Sequence, residues 1–166
     1  MMKKNFLRLS FQALFLMAFS VLTGCTSHSV PSHYSLTFQH PSQVNYGAPL
    51  KVRVFLLRSD ADFMSADFYS LQTKTAALLG SALLNSEQLF LMPGKSSDTL
   101  RGPLPAEARY IGVLAEYQSL DGKKWRLSLP LPAGAAADAG PFWQQADDRL
   151  QAALIANDSG LLAVRH

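Results

Sequence analysis

Two stretches near the start of the chain alternate apolar and polar residues, and this period of two constrains the fold more than any other feature. Tyr34, Leu36 and Phe38 alternate with Ser35, Thr37 and Gln39, and Leu50, Val52, Val54 and Leu56 alternate around Lys51 and Arg53. Successive side chains of a strand point to opposite faces, so each stretch predicts a half-buried strand. Residues 41–49 between them carry Asn45 and Gly47 inside a pair of prolines, Pro41 and Pro49, and read as a loop. Residues 88–92 predict a short strand stopped by Pro93 and Gly94, and residues 99–101 another before Gly102 and Pro103. The strongest hairpin joins 109–118 to 124–131 through Leu120-Asp121-Gly122, because Asp-Gly tolerates the positive φ of a tight turn. Residues 154–156 and 161–164 flank Asn157-Asp158-Ser159-Gly160 as a weaker hairpin, and residues 150–153 suit a short helix or a strand equally. One interruption is helical. Phe63, Ala66 and Ser70 recur at spacings of three and four in residues 61–71, Asp60 is placed to cap them, and residues 75–84 continue the helical tendency across Gly80. Six or more short antiparallel strands with a helical insertion after the second predict a mainly β fold, an antiparallel β-sandwich.

The first 24 residues fall outside that pattern. Lys3, Lys4 and Arg8 precede an apolar run over residues 11–22, and Thr23 and Gly24 lead into Cys25. A membrane-spanning helix needs about 20 apolar residues, so this run reads as a removed signal peptide, 1–24. Leu22-Thr23-Gly24-Cys25 resembles the lipobox of bacterial lipoproteins, with Cys25 as the lipidated residue and a thiolate as the group that attacks the lipid donor. Two or three acyl chains make a stable anchor where one holds only marginally. Thr26, in place of the Asp that favours inner-membrane retention in such proteins, points to the outer membrane. Cys25 is the only cysteine, so no intrachain disulfide is possible. Residues 25–32 then form a lipidated tether, 33–131 the sandwich core, 132–141 an Ala/Gly/Pro linker, and 142–166 a helix or hairpin completing the sandwich.

Charge and motifs narrow the function classes. The formal net charge of +3 belongs to the leader: three of the 15 Lys and Arg lie in it, leaving 12 against 12 Asp and Glu. With no basic run longer than Lys123-Lys124, nucleic acid is excluded as an expected partner. No cofactor, metal site or small-molecule substrate is expected. His28 lies in the tether, His33 and His40 flank the first strand as solvated residues, and His166 ends the chain. Asp60, Asp62 and Asp67 lack the alternating spacing, central glycine and closing Glu of a calcium loop. No Gly-x-Ser-x-Gly elbow or His-Glu-x-x-His occurs, and the reading is a protein without catalysis. Phe63, Phe68 and Tyr69 read as facing the sandwich, and Tyr110, Tyr117 and Trp125 as packing residues of the hairpin, with Trp125 burying most of its ring.

Three blocks add a resemblance. They are Val52-Arg53-Val54-Phe55-Leu56-Leu57 followed by Phe63-Met64-Ser65-Ala66-Asp67-Phe68-Tyr69-Ser70-Leu71; Leu83-Leu84-Asn85-Ser86-Glu87 to Leu91-Met92-Pro93-Gly94; and Ala108-Arg109-Tyr110-Ile111-Gly112-Val113 through Leu120-Asp121-Gly122 to Trp125-Arg126. In this order behind a lipobox, they resemble the outer-membrane lipoprotein of type VI secretion systems, the TssJ (SciN, VasD) family. The resemblance implies a transthyretin-like sandwich on the inner leaflet of the outer membrane, facing the periplasm. It also implies binding to the periplasmic C-terminal region of TssM, and through TssM an association with TssL. The family's partner loop lies between the first two strands, which here makes Gln43, Val44, Asn45 and Tyr46 the candidate contacts. Two other readings stand beside it: a lipid-anchored ligand-binding protein using the sandwich mouth, and a periplasmic hydrolase, for which His33 and His40 sit at opposite strand ends.

Overall fold

The computed structural model describes residues 30–133 and 140–166. The signal peptide, Cys25, residues 25–29 of the tether and residues 134–139 of the linker lie outside the described residues. Among the described residues, nine strands form two sheets. In chain order they are β1 His33–Gln39, β2 Leu50–Leu57, β3 Leu83–Leu91, β4 Ser97–Pro103, β5 Tyr110–Glu116, β6 Arg126–Pro130, β7 Gln144–Ala146, β8 Arg149–Asn157 and β9 Gly160–Ala163. One sheet runs β4-β1-β8-β7 with β9 also paired to β8, and the other runs β3-β2-β5-β6.

The alternation accounts for the core between the sheets. Tyr34, Leu36 and Phe38 of β1 and Leu150, Leu154 and Ala156 of β8 face Val52, Val54 and Leu56 of β2 and Ile111 and Val113 of β5 in one cluster of buried side chains. Each large aliphatic or aromatic side chain buried there contributes roughly 1.5–3 kcal/mol. All pairings are antiparallel except β1 with β8, which is parallel with Tyr34 opposite Leu150. A long connection separates these two strands, so no tight turn imposes an antiparallel approach. Residues 150–153 are strand and not helix. Leu150, Ala152, Leu154 and Ala156 are buried in alternation, a period that suits the open edge of β1.

The outer face of β2 and β5 is also covered, which its burial pattern of four consecutive interior residues at Val54 to Leu57 already reflects. Phe55, Leu57 and Leu114 pack under three short helices, α1 Ala61–Ser65, α2 Phe68–Thr73 and α3 Thr75–Leu79, which contribute Phe63, Leu71 and Leu79. Phe55 and Phe63 meet with ring centroids 5.6 Å apart. The helix expected over 61–71 is broken at Ala66, which is extended at φ −68, ψ 154. Asp60 occupies the position before α1 but accepts instead from the Ser128 hydroxyl at 2.6 Å. Asp67 does the capping, its Oδ1 accepting from the Ser70 N–H at 2.9 Å. The helical tendency expected to reach residue 84 stops at a 3-10 turn, Gly80–Ala82, because Leu83 already pairs with β2. Two guanidinium groups fasten the insertion to the sheet: Arg53 donates to the Leu71 carbonyl and the Thr75 hydroxyl, and Arg126 to the carbonyls of Phe63 and Ala66. Trp125 keeps most of its surface covered without being fully buried, as expected of a packing residue. It lies at the margin between the insertion and the core, edge-on to Phe68 at 5.3 Å, with the Arg126 guanidinium 4.6 Å from its centroid.

Candidate partner surface

The strand registers bring four connections to one end of the sandwich. Leu50 pairs with Leu91, Lys51 with Glu116, and Gln39 with both Ser97 and Ile155, so residues 41–49, 92–96, 117–125 and 157–160 all emerge together. The chain enters at the other end, where Leu104 N–H donates to the Ser32 carbonyl and Ser32 N–H to that of Asp148. β1, seven residues long, separates the two ends by roughly 20 Å.

The loop 41–49 contains three consecutive left-handed residues, Asn45 (φ 57), Tyr46 (φ 59) and Gly47 (φ 78), around a 3-10 turn, Val44–Gly47. Asparagine enters this region readily and glycine freely, but tyrosine pays on the order of 1 kcal/mol for it. The surroundings over-determine the turn. Val44 is 0% exposed and belongs to the core, and its N–H donates to the Pro41 carbonyl at 3.1 Å. Asn45 is 5% exposed; its Nδ2 donates to the Pro49 carbonyl at 3.2 Å and its Oδ1 accepts from the Gln118 N–H at 2.8 Å. Tyr46 is thereby pushed outward and is 72% exposed, the most exposed large apolar side chain among the described residues.

The four candidate contacts therefore divide: Gln43 and Tyr46 face solvent, whereas Val44 and Asn45 are interior and shape the loop. Three further residues stand beside Tyr46 that the sequence pattern did not connect with this loop. Lys123 Nζ lies 5.8 Å from the Tyr46 ring centroid and 5.4 Å from that of Tyr117, and donates to the Asp158 carbonyl at 2.5 Å. Tyr117 is buried beneath, its hydroxyl without a hydrogen-bond partner among the described residues. Burial, and after it the charge of Asp158, pushes that phenol well above its usual range. The Asp121-Gly122 turn and the packing role of Tyr117 marked this segment, but nothing local says which loop it will meet.

A bridge between the sheets closes this end. Lys124 N–H donates to the Ser159 carbonyl at 3.0 Å and Leu161 N–H to the Lys124 carbonyl at 2.7 Å. Gly160 sits between them at φ +106, where an added Cβ would lie 2.3 Å from the Lys124 nitrogen. His40, expected to be solvated, is buried in the same region. Its Nε2 lies 3.3 Å from Asp98 Oδ2 and its Nδ1 3.2 Å from the Pro41 carbonyl. Burial works to raise the Asp98 pKa, but hydrogen bonds from Lys95 and His40 outweigh it and hold the carboxyl below its usual range. His33, at the far end of β1, is exposed and pairs with Asp148 at 3.1 Å.

At the chain-entry end a cleft of about 300 Å³ lies among Val30, Pro31, Leu104, Pro105, Ala108 and Leu150. Its cation, Arg109, donates from Nη1 to the carbonyls of Ala106 and Ala108. Among the described residues no three His, Cys, Asp or Glu side chains gather to hold a metal ion, and no helix is long and apolar enough to cross a membrane.

Residues 33–156 match the family model described as type VI secretion lipoprotein, VasD, EvfM, TssJ. The search of curated proteins gave no match. Among solved structures, the chain is similar to Serratia marcescens Lip, described as a membrane bound component of the type VI secretion system. The two share 51% identity over 82% of this chain and 99% of that one, with a TM-score of 0.72. It is also similar, at 20% identity over 81% and 98% and a TM-score of 0.63, to a chain of a structure described as the type VI membrane complex. A third similar chain, at 18% identity over 81% and 99% and a TM-score of 0.59, comes from a structure described as the TssM C-terminal domain (869-1107) from EAEC. The two weaker likenesses speak to the fold alone, and the two sheets with a helical insertion described above are consistent with a transthyretin-like sandwich, as is the likeness to Serratia marcescens Lip. With the match spanning most of its length, the chain belongs to the type VI secretion lipoprotein family of VasD, EvfM and TssJ.

Proposed function

We propose that this lipoprotein is a non-catalytic structural component of the type VI secretion membrane complex that binds the periplasmic C-terminal region of TssM, and meets TssL through it. In this reading, lipid on Cys25 holds it to the inner leaflet of the outer membrane, facing the periplasm, with residues 25–32 as the tether and 132–141 as the linker into the last three strands. The observation that carries the proposal is the exposure of Tyr46 on a braced turn at the end of the sandwich opposite Val30. Cys25 is five residues before Val30, at most about 17 Å of extended chain. An anchor there keeps the entry end near the membrane and directs the Tyr46 end outward. A braced loop loses little entropy on docking, and tyrosine offers a large amphipathic contact with few rotors. The structure described by its TssM C-terminal domain, in which a chain of this fold occurs, supports TssM as the partner.

Titration against the periplasmic domain of TssM tests the proposal. Replacing Gln43 and Tyr46 together by Ser, both solvent-facing, weakens binding by about ten-fold or more while leaving the thermal melt in place. Equal affinities for wild type and variant would remove the loop from the interface.

A further inference from the structure

The surface around Tyr46 is built from two loops and not one. The Gln118 N–H bond to Asn45 Oδ1 joins residues 117–125 to residues 41–49, and the Lys124–Gly160 bridge ties 117–125 to the other sheet, so Tyr46 and Lys123 sit on one braced unit. The Lys123 head is held by three groups: the Tyr46 ring, the Tyr117 ring and the Asp158 carbonyl. A lysine normally keeps its head mobile and fully hydrated, and forfeits that freedom when it docks. Here much of the cost is met before any partner arrives. An ammonium has three donors, and one of them is committed to the Asp158 carbonyl.

The charge is also unanswered. Lys51 pairs with Glu116 at 3.3 Å and Lys95 with Asp98 at 3.1 Å, but among the described residues no carboxylate lies within ion-pair distance of Lys123. We infer that Lys123 is a second contact of this surface, presenting its ammonium to a carboxylate of the docked partner while Tyr46 supplies the apolar contact beside it. The inference rests on the reading that this end of the sandwich binds the TssM periplasmic domain. It adds the chemistry of the partner: an acidic side chain set next to an apolar or aromatic one.

The full-length lipidated protein in nanodiscs, titrated with the TssM periplasmic domain at about 50 mM and about 300 mM sodium chloride, provides the test. Lys123→Met keeps the apolar stem over the two rings and removes the charge together with the bond to the Asp158 carbonyl. It weakens binding about ten-fold at low salt and flattens the salt dependence, with the melting temperature within about 2 °C of wild type. Lys123→Arg stays within about two-fold of wild type, and so does Lys124→Met, which removes the neighbouring exposed cation. Wild-type affinity and salt slope for Lys123→Met, beside weakened binding for Tyr46→Ala, would overturn the inference and reduce Lys123 to a prop for the ring. Weakened binding with an unchanged salt slope would overturn it in the same way. If neither Lys123→Met nor Tyr46→Ala alters binding, the fault lies with the underlying reading of this end as the interface.

Discussion

Replacing Asn45 separates the two reasons for its presence, its side-chain bonds and its left-handed backbone. Alanine removes the Nδ2 bond to the Pro49 carbonyl and the Oδ1 bond from the Gln118 N–H. Each is worth about 1 kcal/mol net, since water can reach Gln118 once the bond is lost. Alanine also inherits φ 57, which Asn tolerates and Ala does not, adding about 1 kcal/mol. Asn45→Ala is therefore expected to cost about 3 kcal/mol and Asn45→Gly, which is at ease at that φ, about 2 kcal/mol. In a domain of this size those values lower the melting temperature by roughly 10 °C and 7 °C. Thermal melts by circular dichroism, with guanidinium titrations to confirm equal m-values, measure both. Equal losses for Ala and Gly would refute the backbone argument. Losses below about 0.5 kcal/mol for both would refute the assignment of net stability to the two bonds.

Gly160→Ala places a methyl group 2.3 Å from the Lys124 nitrogen, and backbone on both sides leaves nothing to rotate away; the urea midpoint should fall by the equivalent of about 3 kcal/mol or more, and an unchanged midpoint would mean the bridge is dispensable. Asp98 has a folded-state pKa below its unfolded one, so its stabilisation is present above the unfolded carboxylate value of about 3.9 and is lost as pH falls through the lower folded value. The stability gap between wild type and Asp98→Asn should accordingly be constant near neutrality and shrink as acid is added through and below that range; a gap that widens in acid would reverse the assignment. If lipid on Cys25 is the anchor, as proposed, Cys25→Ser should leave the fold intact but release the protein from the membrane fraction; full retention in that fraction would refute lipidation at Cys25.

The two alternating stretches at residues 34–39 and 50–57, the Asp121-Gly122 hairpin and the helical insertion were legible in the sequence because each depends on neighbours within a few residues. Where the sequence pattern fell short, the deciding contact was distant. Residues 150–153 are strand because β1 offers them an edge, and the insertion breaks at Ala66 because Arg126 and Asp67 hold the chain there. His40 is buried because Asp98, 58 residues away, supplies its partner. The loop at 41–49 was visible from its prolines and Gly47, but its division into interior Val44 and Asn45 and outward Tyr46 was not. That division comes from a core that accepts Val44 and from Gln118, 73 residues on, which bonds Asn45. Local pattern thus determined most of the strand, helix and turn segments, through backbone sterics and the period of burial. Only the assembled sheets decided which loops share an end, and so brought Lys123 beside Tyr46, because strand register converts large separations in sequence into contacts of a few ångströms.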